Sequence, residues 1–417
     1  MCEVSKTVKD IVDKLRNNPV FRMSLASKEL FHSNMLAWFL ESWDSEDNLL
    51  SDIAKELAKL FMPDYTVLTV LRERKHFDLL IVLLPTKDCD DSIKNSLTEI
   101  SNFFQNSEQI SEDLLKTLNG CKFAVVENKF KSIPNERQLN EYKQKAKITF
   151  KTKESKIKIE MKDENKNTTY YLLAPKVSLD SFKEKCSGWE TISWNTISDT
   201  LSKALKKTKE KSDFTGEFIE YYADFLENML KLTTDIEEKL KLPNNLAFPK
   251  REDIRELSKI RIHDFYEKLW FNVLLSKIKT VENVKKGSGY SNSSGLVEFQ
   301  IKNDHHVVYG VQIQQSQFRL FVVPTGKCKR EYSDEEIKDC CYGVLEIMKE
   351  KLGTSLDFSP KKKNPKDLHC YGEFKYKFIP LEKDISIEKL TEMINCALDA
   401  ISQSPLKNLT AKAEEEK

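Results

Sequence analysis

The stretch FAVVENKF, Phe123 to Phe130, constrains this chain more than any other. Four apolar residues run directly into Glu127, Asn128 and Lys129, and Phe130 follows. Alternate residues of a strand point to the same side, so Glu127 and Lys129 project together from the end of a buried strand. Two charges placed there are costly unless they reach water or perform chemistry.

The flanking segments are short and aliphatic. YTVLTVLRE and HFDLLIVLL (His76 to Leu84) read as strands, as do TTYYLLAP (Thr168 to Pro175) and the shorter WETISW (Trp189 to Trp194), which is followed by a helix from about Asn195. Helical spacing marks residues 3–20, Ser27–Trp43, Asp47–Met62, a segment opening near Pro134, and residues 213–240. Between the Asp78 strand and the Glu127 strand lies a polar, acidic insertion, residues 86–119, with a helical pattern. The order in the N-terminal half is therefore helix, strand, strand, strand, helix, strand. Asp78 lies on the second strand, and Gln138 and Tyr142 stand four apart on one helix face.

This arrangement resembles the PD-(D/E)XK nuclease superfamily, above all a branch with an ENK strand, a Q-L-x-x-Y helix and a first helix like ELFHSNMLAWFLE. The resemblance covers roughly residues 20–200, with Phe77 in place of the superfamily's proline. It implies a restriction-endonuclease-like α/β core, a mixed central sheet flanked by helices. It also implies metal-dependent hydrolysis of phosphodiester bonds. Mg²⁺ or Mn²⁺ would polarise the phosphate and lower the pKa of a water. Mg²⁺ takes one or two carboxylates and waters, which Asp78 and Glu127 would supply, with the Asn128 carbonyl as a third oxygen. Lys129 would position the nucleophile and offset developing charge. Glu29 would contact a metal-bound water or a second metal. Gln138 and Tyr142 would bond the phosphate or orient Lys129.

Other features are read more plainly. Glu127 and Lys129 by themselves would suit a solvated ion pair; Asp78, Gln138 and Tyr142 in register argue for the site. His32 and Asn34 read as braces of the first helix, and Trp38, Trp43, Trp189 and Trp194 as core aromatics. Residues 143–166 hold nine lysines against four acids, either a phosphate-tracking patch or a solvated hairpin face. The formal net charge is +1, so any attraction to nucleic acid is local. Nine cysteines without a C-x-x-C pair fit free thiols in a reducing compartment. With no apolar run long enough to span a bilayer and no apolar leader, a cytoplasmic protein is expected, not a membrane one.

Pro243 and Pro249 bracket an aperiodic segment that divides the chain. Residues 1–242 form the expected nuclease domain, 250–405 an α+β domain of unknown role, and 406–417 a frayed tail. In the second part the pattern predicts a helix from Asp253 to about Thr280, a flexible loop at KKGSGYSNSSG, and strands at Leu296–Ile301, His306–Ile313 and Phe318–Val323. A helix from about Ser333, the strand EFKYKFIPL and a helix from Ile385 complete it. The expected partner is nucleic acid, DNA in the first instance, with a homodimer or protein partner through the C-terminal domain, in a setting of DNA processing or bacterial and phage conflict. The alternatives are a catalytically silent binding module on the same fold and an inhibitor acting through the second domain.

Overall fold

The computed structural model describes residues 5–24, 29–73, 77–86, 121–132, 134, 136–145, 147–151, 156–160, 167–182, 187–207, 214–241, 245–280, 284–291, 294–302, 307–324, 333–353 and 368–403. The acidic insertion, His305 and His306 lie outside these residues. The chain divides into two compact units, Lys6–Thr233 and Thr234–Lys417 with Met1–Ser5, the division falling within a long helix.

The first unit opens with α1 (Lys6–Asn17), α2 (Pro19–Met23), α3 (Glu29–Glu41) and α4 (Asn48–Phe61). The single helix expected over residues 3–20 is broken because Asn18 accepts from the Phe21 amide and Pro19 takes the first helical position. Asp47 caps α4 through the amides of Leu49 and Leu50. β1 (Tyr65–Arg72) and β2 (Leu79–Pro85) form an antiparallel hairpin. Glu73 closes it at φ +50°, its amide donating to the Asp78 carbonyl at 3.1 Å. Asp78 therefore stands one residue ahead of the second strand rather than on it.

β3 (Lys122–Asn128) pairs antiparallel with β2 and parallel with β6 (Thr168–Ala174). Between them run α5 (Glu136–Lys145) and the hairpin of β4 (Lys147–Lys151) and β5 (Lys156–Glu160). After β6 come α6 (Lys176–Phe182), β7 (Glu190–Ser193), α7 (Trp194–Lys207) and α8 (Phe214–Lys239). The sheet runs β1-β2-β3-β6-β7, antiparallel at one side and parallel at the other. Flanked by helices, it has the restriction-endonuclease-like arrangement of a mixed sheet. Strand β2 is buried from Leu79 to Leu84, as a strand covered on both faces must be.

The second unit holds α9 (Arg251–Ser258), α10 (His263–Lys277), β8 (Lys285–Ser291), β9 (Ser294–Lys302), β10 (Val307–Gln314), β11 (Gln317–Pro324), α11 (Asp334–Leu352), β12 (His369–Tyr371), β13 (Phe374–Pro380) and α12 (Ile387–Gln403). Its sheet is antiparallel throughout, in the order β12-β13-β11-β10-β9-β8. Two sequence expectations fail here. KKGSGYSNSSG is no loop: most of it is edge strand β8, whose glycines give up side-chain packing but keep the backbone pairing with β9. The helix expected from Asp253 breaks into α9 and α10 at Arg261, which sits at φ +60° as the Ile262 amide turns back to the Leu257 carbonyl at 3.1 Å. Gln315 and Ser316, both at positive φ, make the tight β10–β11 turn, which no glycine announces.

Candidate active site

The end of β3 sets the geometry. Its apolar residues are fully buried, and Glu127, Asn128 and Lys129 remain at most 7% exposed. The Lys129 amide continues the parallel ladder, donating to the Leu173 carbonyl at 2.7 Å. The next amide back, that of Asn128, faces the other edge and donates to Asp78 Oδ2 at 2.7 Å. Missing one residue of ladder, β2 thus lends a carboxylate where a backbone carbonyl would stand. Glu127 and Lys129 point to one side and pair, Nζ to Oε1, at 2.6 Å.

The Asn128 side chain turns the opposite way from these charges. Its amide nitrogen donates to the Glu29 carbonyl and to Ser33 Oγ, both at 3.0 Å, and its oxygen accepts from Trp194 Nε1 at 3.0 Å. One buried side chain thereby ties β3 to α3 and α7. Glu29 completes the connection: its Oε1 accepts from the amides of Lys131 and Ser132 and from Ser132 Oγ, at 3.0, 2.6 and 2.6 Å. Glu29 thus holds the loop that follows the ENK strand. On α5, Gln138 donates to the Tyr142 hydroxyl at 2.6 Å, and Tyr142 meets Phe77 edge to face at 5.9 Å between centroids.

His32 lies beneath the site. It is fully buried, stacks on Phe130 at 3.8 Å, and bonds Tyr222 OH through Nδ1 at 3.1 Å. Burial pushes its pKa down to about 3, so it is a neutral brace of the core. Asn34, by contrast, is exposed.

Electrostatics tie the charged groups into one site. Burial pushes the Glu127 carboxyl up to about 8, with the Asp78 and Glu29 charges acting in the same sense and Lys129 against them. Burial also raises Asp78, opposed by the Asn128 amide and by Lys129. Lys129 loses by burial, but the Glu127, Glu29 and Asp78 carboxylates more than restore it, so its pKa stands above the ordinary lysine value. Tyr142 is raised by burial and by Glu127. The charges of Glu29 and Asp78 thus act on both Glu127 and Lys129, and Tyr142 senses Asp78, Glu127 and Lys129.

A family model described as the PD-(D/E)XK nuclease superfamily matches residues 20–224. This part of the chain belongs to that superfamily. The match takes in all the residues just described, and it ends inside α8. No curated protein and no solved structure matches the chain. Among the described residues no helix is long and apolar enough to cross a membrane, and no three His, Cys, Asp or Glu side chains form a ready-made metal cluster. Glu29 Oε1 is committed to the Lys131–Ser132 loop, and the carboxylates gathered at the strand ends are Asp78 and Glu127, with Glu73 close enough for its charge to act on Asp78.

Sequence reasoning singled out Glu29, Asp78, Glu127, Asn128, Lys129, Gln138 and Tyr142. The fold brings the first five together at one strand end and sets the last two as a bonded pair on α5. It missed Ser33 and Trp194, the partners of the Asn128 side chain. No local signal marks them, because the bond joins residues 66 positions apart.

Proposed function

We propose that this protein is a metal-dependent nuclease that hydrolyses phosphodiester bonds, in DNA first of all, through Asp78, Glu127 and Lys129. The observation that carries the reading is the buried Glu127–Lys129 pair, 2.6 Å apart, beside a carboxylate pinned by the Asn128 amide. A structural ion pair needs no second buried acid raising the first one's pKa.

The donor set suits a hard divalent cation. Two carboxylates, both pushed toward protonation by burial, gain from a cation that compensates their charge. Asp78 and Glu127 would hold Mg²⁺ or Mn²⁺, and the Asn128 carbonyl, on the strand edge that its amide gives to Asp78, would add an oxygen. Bound there, the metal supplies a polarised phosphoryl oxygen and a water of lowered pKa. The protein's own residues do the rest. Lys129 stays protonated and places a positive charge beside the phosphate. Tyr142, held by Gln138 and raised in pKa, keeps its proton and can donate to a phosphate oxygen. Glu29 fixes the loop after the ENK strand, and the Asn128 side chain fixes the strand itself.

The test is cleavage of plasmid, linear duplex, single-stranded DNA and RNA with Mg²⁺ or Mn²⁺, wild type beside Glu127→Ala and Lys129→Ala. Metal-dependent cutting by wild type that both variants lose is the expected result. Equal background in all three would overturn the reading in favour of a catalytically silent binding module.

A further inference from the structure

Strand β8 stands at the edge of the second sheet, next to β9. Its sequence, KKGSGYS, brings no aliphatic side chain to a core. Directly opposed residues of a sheet share a face, so the strand register sorts its side chains. Lys286, Ser288 and Tyr290 lie opposite Phe299, Val297 and Gly295, on the face that Val297 and Phe299 bury. Helix α10 covers that face closely: a Cβ at Gly295 would fall 2.2 Å from the Phe271 ring.

The hold of α10 on β8 is polar along its length. Lys286 Nζ donates to the Ile278 carbonyl, just past the helix, at 3.0 Å, and Ser288 Oγ donates to Asn272 Oδ1 at 3.3 Å. Lys268 Nζ lies over the Tyr290 ring at 5.4 Å and pairs with Asp264 at 3.7 Å. The Tyr290 end of this contact is unfinished. Tyr290 OH, Glu267 Oε2 and His263 Nδ1 are buried atoms, and none has a hydrogen-bond partner among the described residues. His263 and Glu267 stand four apart on one face of α10. Glu267 and Tyr290 act on each other across the interface. A carboxylate in such a place is costly unless it takes up a proton.

We propose that Glu267 is a proton-operated latch on β8: protonated, it holds Tyr290 and keeps the strand on α10, and ionised, it lets the strand go. The carboxylic acid O–H donates to the Tyr290 oxygen. On ionisation that proton passes to water and leaves a negative charge beside Asp264, which opening of the strand hands to solvent. Without aliphatic contacts to break, β8 opens locally. Its departure bares the backbone edge of β9, which another strand can join.

The pKa shifts agree with this geometry. Burial first, then the Asp264 charge, push the Glu267 carboxyl from 4.5 up to about 7, with Tyr290 opposing. Burial, then Glu267 and Asp264, push the Tyr290 hydroxyl to about 12, so it keeps its proton throughout. Between 4.5 and about 7 the closed strand holds a proton that the open one releases. The latch is therefore fully set below that window and weakens as pH rises through it. None of this rests on the nuclease reading.

The test is hydrogen exchange of the full chain without metal, from about pH 5 to 8, each rate divided by the intrinsic amide rate at that pH. Protection of β8 should fall by about 10- to 100-fold over that range, while β10 of the same sheet keeps its own. Glu267→Gln should hold β8 protection level, Asp264→Asn should move the fall to lower pH, and His263→Gln should leave it in place. Constant protection of β8 in wild type, a fall that survives Glu267→Gln, or one that His263→Gln abolishes would overturn the latch. A second reading uses the wild-type chain alone. The Glu267 carboxyl carbon should titrate by NMR with a midpoint near 7, and a midpoint near 4.5 would overturn the proposal.

Discussion

The two sheets of this protein handle polar groups in opposite ways. In the mixed sheet β2 is apolar and buried through six consecutive residues, and charge is confined to the strand ends, at Asp78, Glu127 and Lys129. In the antiparallel sheet burial alternates along the outer strands β9 and β13, while the central strands β10 and β11 are buried on both faces, and one of those faces carries Arg319, Gln312 and Gln314 bonded to one another beside Glu298. The cause is coverage. A sheet packed on both faces leaves only its strand ends for chemistry, where parallel strands open toward the following helix. A buried sheet face can still carry polar groups where they satisfy one another, as Arg319, Gln312 and Gln314 do. The first arrangement makes a small charged site of fixed geometry, the second a self-satisfied polar network within the sheet.

The comparison can be broken at several points, beginning with the strand end. Lys129→Ala should lower metal-dependent cleavage by about 10²-fold or more, as loss of a charge-stabilising donor does, with folding checked by circular dichroism. Gly310→Ala is the matching change in the antiparallel sheet. A Cβ there would lie 2.1 Å from the Phe299 carbonyl oxygen and 2.8 Å from the Phe321 ring. A cost of about 1–3 kcal/mol is expected in urea unfolding, because that ring must leave its place under Phe374.

The Glu127 carboxyl offers a pH test. Its pKa is 4.5 ordinarily and about 8 in the folded protein. Between those values the folded state holds a proton that the unfolded state has released, so stability falls as pH rises through the window. Lys129, raised above 10.5, acts only at higher pH. Melting temperatures of wild type and Glu127→Gln, compared without metal, should diverge as pH rises from about 5 to 8, with the glutamine variant gaining. Parallel curves would show that the carboxyl titrates normally.

The smallest effect is expected at Ser33→Ala. It removes the hydroxyl that accepts from the Asn128 side-chain amide and little else, for about 1 kcal/mol in stability. If Asn128 aligns Glu127 and Lys129, the apparent affinity for Mg²⁺ should weaken more than this modest loss of stability would suggest.

Much of the mixed sheet was legible in the sequence because its signals are local. An apolar run broken by ENK, an aspartate beside LLIVLL, and a glutamine and tyrosine four apart need no distant information. The break at Asn18 and the strand at Lys285–Ser291 were not legible. In the first, one side chain competes for the helix amides; in the second, pairing with β9 overrides glycine-rich composition.

Hydrophobic period and residue type along the chain were enough to read the succession of elements in the first unit, its apolar strands and the charged triplet, because these signals are local; the order of the strands within the sheet came from the fold. What the triplet's middle residue and Glu29 do was settled by contacts between distant elements. Asn128 bonds Ser33 and Trp194, and Glu29 bonds Lys131 and Ser132, 102 and 103 residues away. Such bonds form when three elements meet at one strand end. No spacing along the chain encodes that meeting, and the same holds for the Arg319 face, whose members become neighbours only through strand register.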